Sequence, residues 1–142
     1  MSTLSSAINA SASALSAERT RIEVAVSNMA NAESTRGPDG QPYRRRDVVL
    51  APDRSNSFDA ALGRAGAVGV NVAAIVEDQA PFRRRYEPSH PDADAEGFVT
   101  LPNVEAQNEM VDLIGASRAY QANLTAIGLI RELVAKALEL GR

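Results

Sequence analysis

Apolar residues recur every seven positions at both ends of this chain. Near the start, Ile8, Leu15, Ile22 and Met29 fall in phase, with Leu4, Ala12, Ala25 and Val26 at neighbouring positions. Neither proline nor glycine occurs between Thr3 and Asn31. Four repeats in register predict an amphipathic helix, because a strand alternates every second residue instead. At 1.5 Å per residue such a helix is about 40 Å long. Near the other end, Leu113, Tyr120, Ile127 and Val134 repeat the seven-residue spacing. Met110, Leu124 and Leu138 lie one turn away on the same side, and Ile114 and Ile130 widen the stripe. Asn103 is expected to cap this second helix, with Glu105 in its first turn and Gly141 past its end. Gly115 and Gly128 each weaken the helix by about 1 kcal/mol relative to alanine, and suggest close approach of another backbone.

Between these helices the period changes. Arg36-Gly37-Pro38-Asp39-Gly40-Gln41-Pro42 cannot continue a helix. Short strands are then expected at Tyr43 to Leu50, at Val68 to Glu77, where V-G-V-N-V alternates, at Phe82 to Tyr86 and at Phe98 to Leu101. The Ser-, Asn-, Gly- and Asp-rich stretch around 52–69 reads as a mobile loop. The fold class is therefore α+β: two long terminal helices pairing as a coiled coil, with a small β-rich domain inserted between them. The boundaries are 1–31, 32–102 and 103–142.

A pair of such helices leaves apolar surface wet, and the alanines of the first stripe bury little area. The assembly interface is accordingly expected at Leu4, Ile8, Leu15, Ile22, Val26, Met29, Met110, Leu113, Ile114, Tyr120, Leu124, Ile127, Ile130, Val134 and Leu138. These residues complete their burial against other chains, and the helices become ordered on assembly.

Composition narrows the chemistry. The 142 residues carry 15 basic and 18 acidic side chains, a formal net charge of −3, one histidine and no cysteine. Disulfides, thiolate metal sites and a cysteine nucleophile are excluded, and a single His90 cannot build a multi-histidine site. The slightly acidic balance argues against nucleic acid as a partner. Aromatic residues make up only 4%, so the core is small and aliphatic. No run of roughly 18–20 apolar residues is present to span a bilayer. The serine-interrupted start lacks the charged and apolar regions of a cleaved signal peptide.

Four segments invite a chemical reading. Arg44-Arg45-Arg46 and Arg83-Arg84-Arg85 resemble anion sites, but arginine forks equally suit carboxylates, and salt bridges to neighbouring subunits are the preferred reading. Asp92-Ala93-Asp94-Ala95-Glu96-Gly97 looks like the opening of an EF-hand loop. Its twelfth position is Asn103 rather than the bidentate glutamate, so a solvated acidic turn is expected. His90 lies in Ser89-His90-Pro91-Asp92, where adjacent residues cannot adopt triad geometry. No P-loop, G-x-G-x-x-G or nucleophile elbow occurs. No catalytic residue, cofactor, metal or small-molecule substrate is indicated.

The run Ser27-Asn28-Met29-Ala30-Asn31-Ala32-Glu33-Ser34-Thr35 resembles the S-N-x-A-N-x-x-T-T signature of bacterial flagellar rod and hook proteins. Its motif positions are Ser27, Asn28, Ala30 and Asn31. Two further segments resemble the proximal rod members of that family. One is Tyr86-Glu87-Pro88-Ser89-His90-Pro91-Asp92 through Val99; the other runs from Pro102-Asn103-Val104-Glu105 to Ser117-Arg118-Ala119-Tyr120-Gln121-Ala122-Asn123, with Asn103, Arg118 and Asn123 as motif residues. With Pro42-Tyr43-Arg44-Arg45 the resemblance covers almost the whole chain. Two departures are Glu33-Ser34-Thr35-Arg36 at the helix exit and Gly115 in place of the usual serine.

The resemblance implies a non-enzymatic structural subunit of the flagellar basal body. Such a subunit is exported uncleaved by the flagellar type III apparatus. It polymerises with copies of itself and other rod subunits into a torque-transmitting shaft across the periplasm. The heptads alone would also fit a second class, a soluble cytoplasmic coiled-coil adaptor.

Overall fold

The computed structural model describes residues 2–37, 39–53 and 68–140. The order is α1 (Ser2–Ala30), β1 (Arg46–Asp53), β2 (Gly69–Glu77), β3 (Arg83–Tyr86), β4 (Phe98–Leu101) and α2 (Ala106–Leu140). This is the α+β chain expected, with a β region between two terminal helices. β1 pairs with β2, and β3 pairs with β4, as two separate two-stranded sheets. The expected loop falls largely on 54–67, outside the described residues. No helix among the described residues is long and apolar enough to cross a membrane.

α1 forms because alanine-rich sequence without breakers favours helix. Ser13 and Thr20 turn back on the preceding turn: Ser13 Oγ donates to the Ala10 carbonyl at 2.8 Å and Thr20 Oγ1 to that of Ser16 at 3.2 Å. At its end, the Asn31 backbone N–H and side-chain Nδ2 both donate to the Ser27 carbonyl. α2 corrects the expected start. It begins at Ala106, and the Glu105 carbonyl accepts the Asn108 and Glu109 N–H groups. Asn103 does not cap it, because its side chain is committed to Arg45, Asp78 and Ala80.

The chain divides into two compact units. The first contains residues up to Thr20, 49–74 and the chain from Gly115 onward. Ala17 and Ala116 are buried in it. Ser13 Oγ accepts the Val70 N–H at 3.0 Å, and a Cβ on Gly69 would meet that hydroxyl at 2.8 Å. Glycine lets the strand lie this close to α1.

The second unit comprises Arg21–Val48 and Ile75–Ile114. Its apolar core is Ala25, Ala32, Val99, Leu101 and Val104. β3 and β4 are antiparallel, with Arg83 opposite Leu101 and Tyr86 opposite Phe98. The Tyr86 and Phe98 rings meet edge-on with centroids 5.3 Å apart. Gly97 closes this hairpin at φ +85°, where a Cβ would lie 2.9 Å from the Tyr86 ring. The Asp92–Gly97 acidic segment folds on itself as the turn expected: Asp94 Oδ1 accepts the N–H groups of Glu96 and Phe98. His90 is also a turn residue, its Nδ1 accepting the Asp92 N–H at 3.1 Å.

The arginine triplets find partners within this chain. Arg44 donates to the Asp78 carbonyl and stacks 4.4 Å over Phe82. Arg83 donates to the Pro102 and Ala32 carbonyls. Arg84 pairs with Asp94, and Arg85 with Glu33 and Glu87. Acidic and basic side chains of one small unit can satisfy each other locally, which the strand pattern alone did not reveal.

Candidate functional site

Two features stand out, an incompletely covered apolar surface and a buried polar cluster. The surface comes from the heptad stripes. Ile8, Leu15, Ile22, Met29, Leu113, Tyr120, Ile127, Ile130 and Val134 are half-buried in the single chain. Leu4, Val26, Met110, Ile114, Leu124 and Leu138 are exposed. Val111, Leu129 and Leu133, outside the expected set, are exposed as well. The positions that are fully buried on α1 are small or polar: Ala17, Ala25 and Asn28. Gly115 and Gly128 face open space, with nothing within 4 Å of a built Cβ. Isolated exposed leucines are ordinary, but this density along α2 exceeds what solvent exposure favours.

The polar cluster lies within the second unit. Asn28 is 1% exposed and Glu109, in the first turn of α2, is 2% exposed. Asn28 Nδ2 donates to Glu109 Oε2 at 2.8 Å and to the Arg46 carbonyl at 2.8 Å. Its Oδ1 accepts the Arg46 N–H at 3.0 Å and the Tyr43 hydroxyl at 2.9 Å. All four hydrogen-bonding positions of the amide are thus used. The two bonds to Arg46 imitate a strand neighbour for the chain entering β1.

Arg45 Nε donates to the other Glu109 oxygen at 2.6 Å, and its Nη2 lies 3.5 Å from Asp112. Asp47 and Asp78 stand at 3.7 and 3.9 Å from Nη1. Burial opposes the charge on Arg45, but the Glu109 hydrogen bond and the surrounding carboxylates outweigh it and hold the guanidinium above its ordinary pKa. Asn103 repeats the arrangement from the other side. Its Oδ1 accepts the Arg45 N–H at 2.8 Å while its Nδ2 donates to the Asp78 and Ala80 carbonyls. No buried side-chain nitrogen or oxygen among the described residues lacks a partner.

Of the motif residues, Ser27, Asn28 and Asn103 converge on this cluster, Ser27 through a 3.5 Å contact with the Tyr43 hydroxyl. Asn31 serves the end of α1, Asn123 Nδ2 donates to Ala119 within α2, and Ala30 and Arg118 are exposed. Glu109, Arg45 and Tyr43 were not singled out by the heptads. One signal was available: Glu109, Leu113, Ala116 and Tyr120 share one helical face, so an acid sits in phase with the apolar stripe and must find a buried partner.

Chemically the cluster is closed. Each carboxylate oxygen of Glu109 has a donor, and a bordering cavity of about 30 Å³ has room for about one water molecule. Among the described residues, no group of three or more His, Cys, Asp or Glu side chains is arranged to hold a metal ion. The arrangement joins chain segments.

The comparisons with known proteins agree along the whole length. Residues 8–38 match the flagella basal body rod protein family, and residues 95–140 match the C-terminal family of flagellar basal body rod FlgEFG proteins. The chain is 48% identical over 130 residues to the flagellar basal-body rod protein FlgC of Salmonella typhimurium, covering 92% of each chain. It is 44% identical to FlgC of Bacillus subtilis, covering 95% of this chain and 96% of the relative. Identity to FlgC of Borreliella burgdorferi is 41%, covering 95% of each. A cytoplasmic adaptor finds no support among these relatives. From both ends inward, the chain belongs to the FlgC family of flagellar basal-body rod proteins, and its role is that of a structural subunit of the rod.

Proposed function

We propose that this subunit polymerises through the apolar faces of α1 and α2 to build the proximal part of a rod that carries motor torque across the periplasm. The observation that carries this reading is the row of large apolar residues left open on the single chain, notably Met110, Ile114, Leu124 and Leu138 on α2. Covering these side chains with neighbouring helices removes apolar area from water at about 25 cal/mol per Å². Interdigitated helices also resist shear, because a close-packed layer cannot slide without opening cavities. A rod is an open assembly, so each subunit joins its neighbours through two different surfaces. The partners are further copies and other rod subunits. No reaction is performed: the buried polar groups are saturated and aimed at one another. Delivery is by the flagellar type III apparatus, with the N-terminus retained because it supplies the first turns of α1.

The test is genetic and structural together. Ile22→Asp and Ile127→Asp put a charge into the helix layer, where it has no partner. Both are expected to abolish swimming and to leave the subunit absent from detergent-resistant basal bodies. Motile cells with either variant incorporated would overturn the reading. Mass spectrometry of the incorporated wild-type subunit is expected to find the intact N-terminus, and a trimmed one would refute uncleaved export.

A further inference from the structure

Just past the end of α1, three side chains of the β3–β4 hairpin take hold of the chain leaving the helix. Arg83 and Arg85 stand two apart on β3 and so share one side of the strand. Arg83 Nη2 donates to the Ala32 carbonyl at 3.3 Å, and Arg85 Nη1 donates to Glu33 Oε2 at 2.9 Å. Asp92, in the turn between the two strands, divides its carboxylate. Oδ2 accepts the Thr35 hydroxyl at 2.7 Å, and Oδ1 faces Arg36 Nη2 at 3.0 Å. The anchors are themselves fixed: Arg83 Nε donates to the Pro102 carbonyl, and the Asp92 N–H donates to His90 Nδ1. All of these residues belong to the second compact unit.

We propose that residues 32–36 form a strap that clamps the exit of α1 to the β3–β4 hairpin. It makes a stiff joint through which load on the helix reaches the β region. A single exposed ion pair holds little. Here Ala32, Glu33, Thr35 and Arg36 are each gripped, Ser34 bonds back to the Asn31 carbonyl at 2.9 Å, and Ala32 is buried. A backbone held at successive residues cannot swivel as a free linker does. Every hairpin contact falls beyond Ala30, the last residue of α1. The strap therefore depends on the hairpin, and it stands whether or not α1 is helical in the lone chain. The departure from the family signature at Glu33 to Arg36 acquires a use, since those two residues supply the charges that Arg85 and Asp92 bind. Carrying load is a role that rests on the rod reading above; the strap itself does not.

Nitrogen-15 relaxation of the purified full-length chain tests the strap. In the wild type, backbone order parameters of 33–36 are expected to match those of β3–β4, at about 0.8, whatever values α1 shows. The double variant Thr35→Val with Arg36→Ala alters the strap and leaves the hairpin untouched. It is expected to bring 33–36 below about 0.6 while β3–β4 keeps its value. Wild-type values below about 0.6 for 33–36 would overturn the strap, and that measurement needs no variant to fold. A double variant as rigid as the wild type would overturn it as well. Cells carrying the double variant test the joint. The variant subunit is expected in basal bodies, with swimming kept in dilute medium and lost in viscous medium. Undiminished swimming in viscous medium, or a variant missing from basal bodies, would overturn the load-bearing role. The rod reading fails on a different result, the absence of the wild-type subunit from basal bodies.

Discussion

Asn28 on α1 and Glu109 on α2 meet at 2.8 Å with both side chains withdrawn from solvent, although 81 positions separate them in the chain. The contact is one of four made by the Asn28 amide, so this residue holds the chain entering β1 as firmly as it holds the carboxylate.

Replacing Asn28 should therefore be expensive. Asn28→Ala removes four hydrogen bonds and leaves Glu109 with Arg45 alone, at a cost of about 2–4 kcal/mol. Asn28→Asp is expected to be worse still, because it sets a second carboxylate against Glu109. Urea unfolding of the purified chain checks both, and midpoints unchanged from wild type would contradict the assigned role.

Assembly and stability should separate at the open face of α2. Leu124 is 54% exposed in the single chain, so Leu124→Asp removes little buried area there and is expected to shift stability by less than about 1 kcal/mol. If the proposed assembly face is right, incorporation into the rod should nevertheless be lost, since Leu124 belongs to that face. Thermal unfolding of the monomer and motility of the complemented strain give the two readouts. A monomer badly destabilised by this change would show that Leu124 is covered by its own chain.

The β3–β4 turn makes a backbone prediction. Gly97 occupies φ +85°, and a methyl group there would strike the Tyr86 ring. Gly97→Ala is expected to cost about 1–3 kcal/mol and to disturb the Tyr86–Phe98 pair. Tyr86→Ala in the same background removes the clash but not the strained φ, so it should recover part of the loss. Equal stability of Gly97→Ala and wild type would reject this account.

Asp94 gives the pH dependence. Its carboxylate accepts the Phe98 N–H and, despite some desolvation, is held below the ordinary carboxylate range by that bond, by Arg84 and by the Glu96 N–H. A lowered pKa in the folded chain means that the ionised form stabilises the turn. The contribution is complete above the ordinary carboxylate pKa of about 4 and is lost as pH falls through the lower folded value. The Phe98 amide resonance is expected to move in that acid window and to stay still in Asp94→Asn. The same titration in both chains would exclude Asp94 as its origin.

Much of this molecule was legible beforehand because the relevant signals are local. The seven-residue spacing of Ile8 to Met29 and of Leu113 to Val134 needs only helical geometry, and α1 and α2 follow it. The alternation of Val68, Val70 and Val72 fixed β2, while Gly97 and the acids before it marked a turn. The start of α2 was misread at Asn103 because an asparagine before a helix can either cap it or bond elsewhere. Arg45 and the Asp78 and Ala80 carbonyls decided that competition, and they lie 23 to 58 residues away. Partners for the arginine triplets were missed for the same reason, since a strand pattern gives the side on which a residue points but not what stands there.

Chain order and side-chain periodicity thus determined by themselves that two amphipathic helices flank a small β region. They did so because helix and strand periods are properties of neighbouring residues. Only the tertiary structure decided that Glu109 is buried, that Asn28 and Arg45 satisfy it, and which stripe residues stay open on a single chain. Burial of a charge depends on partners brought from distant segments, and those meet only once the backbone has closed.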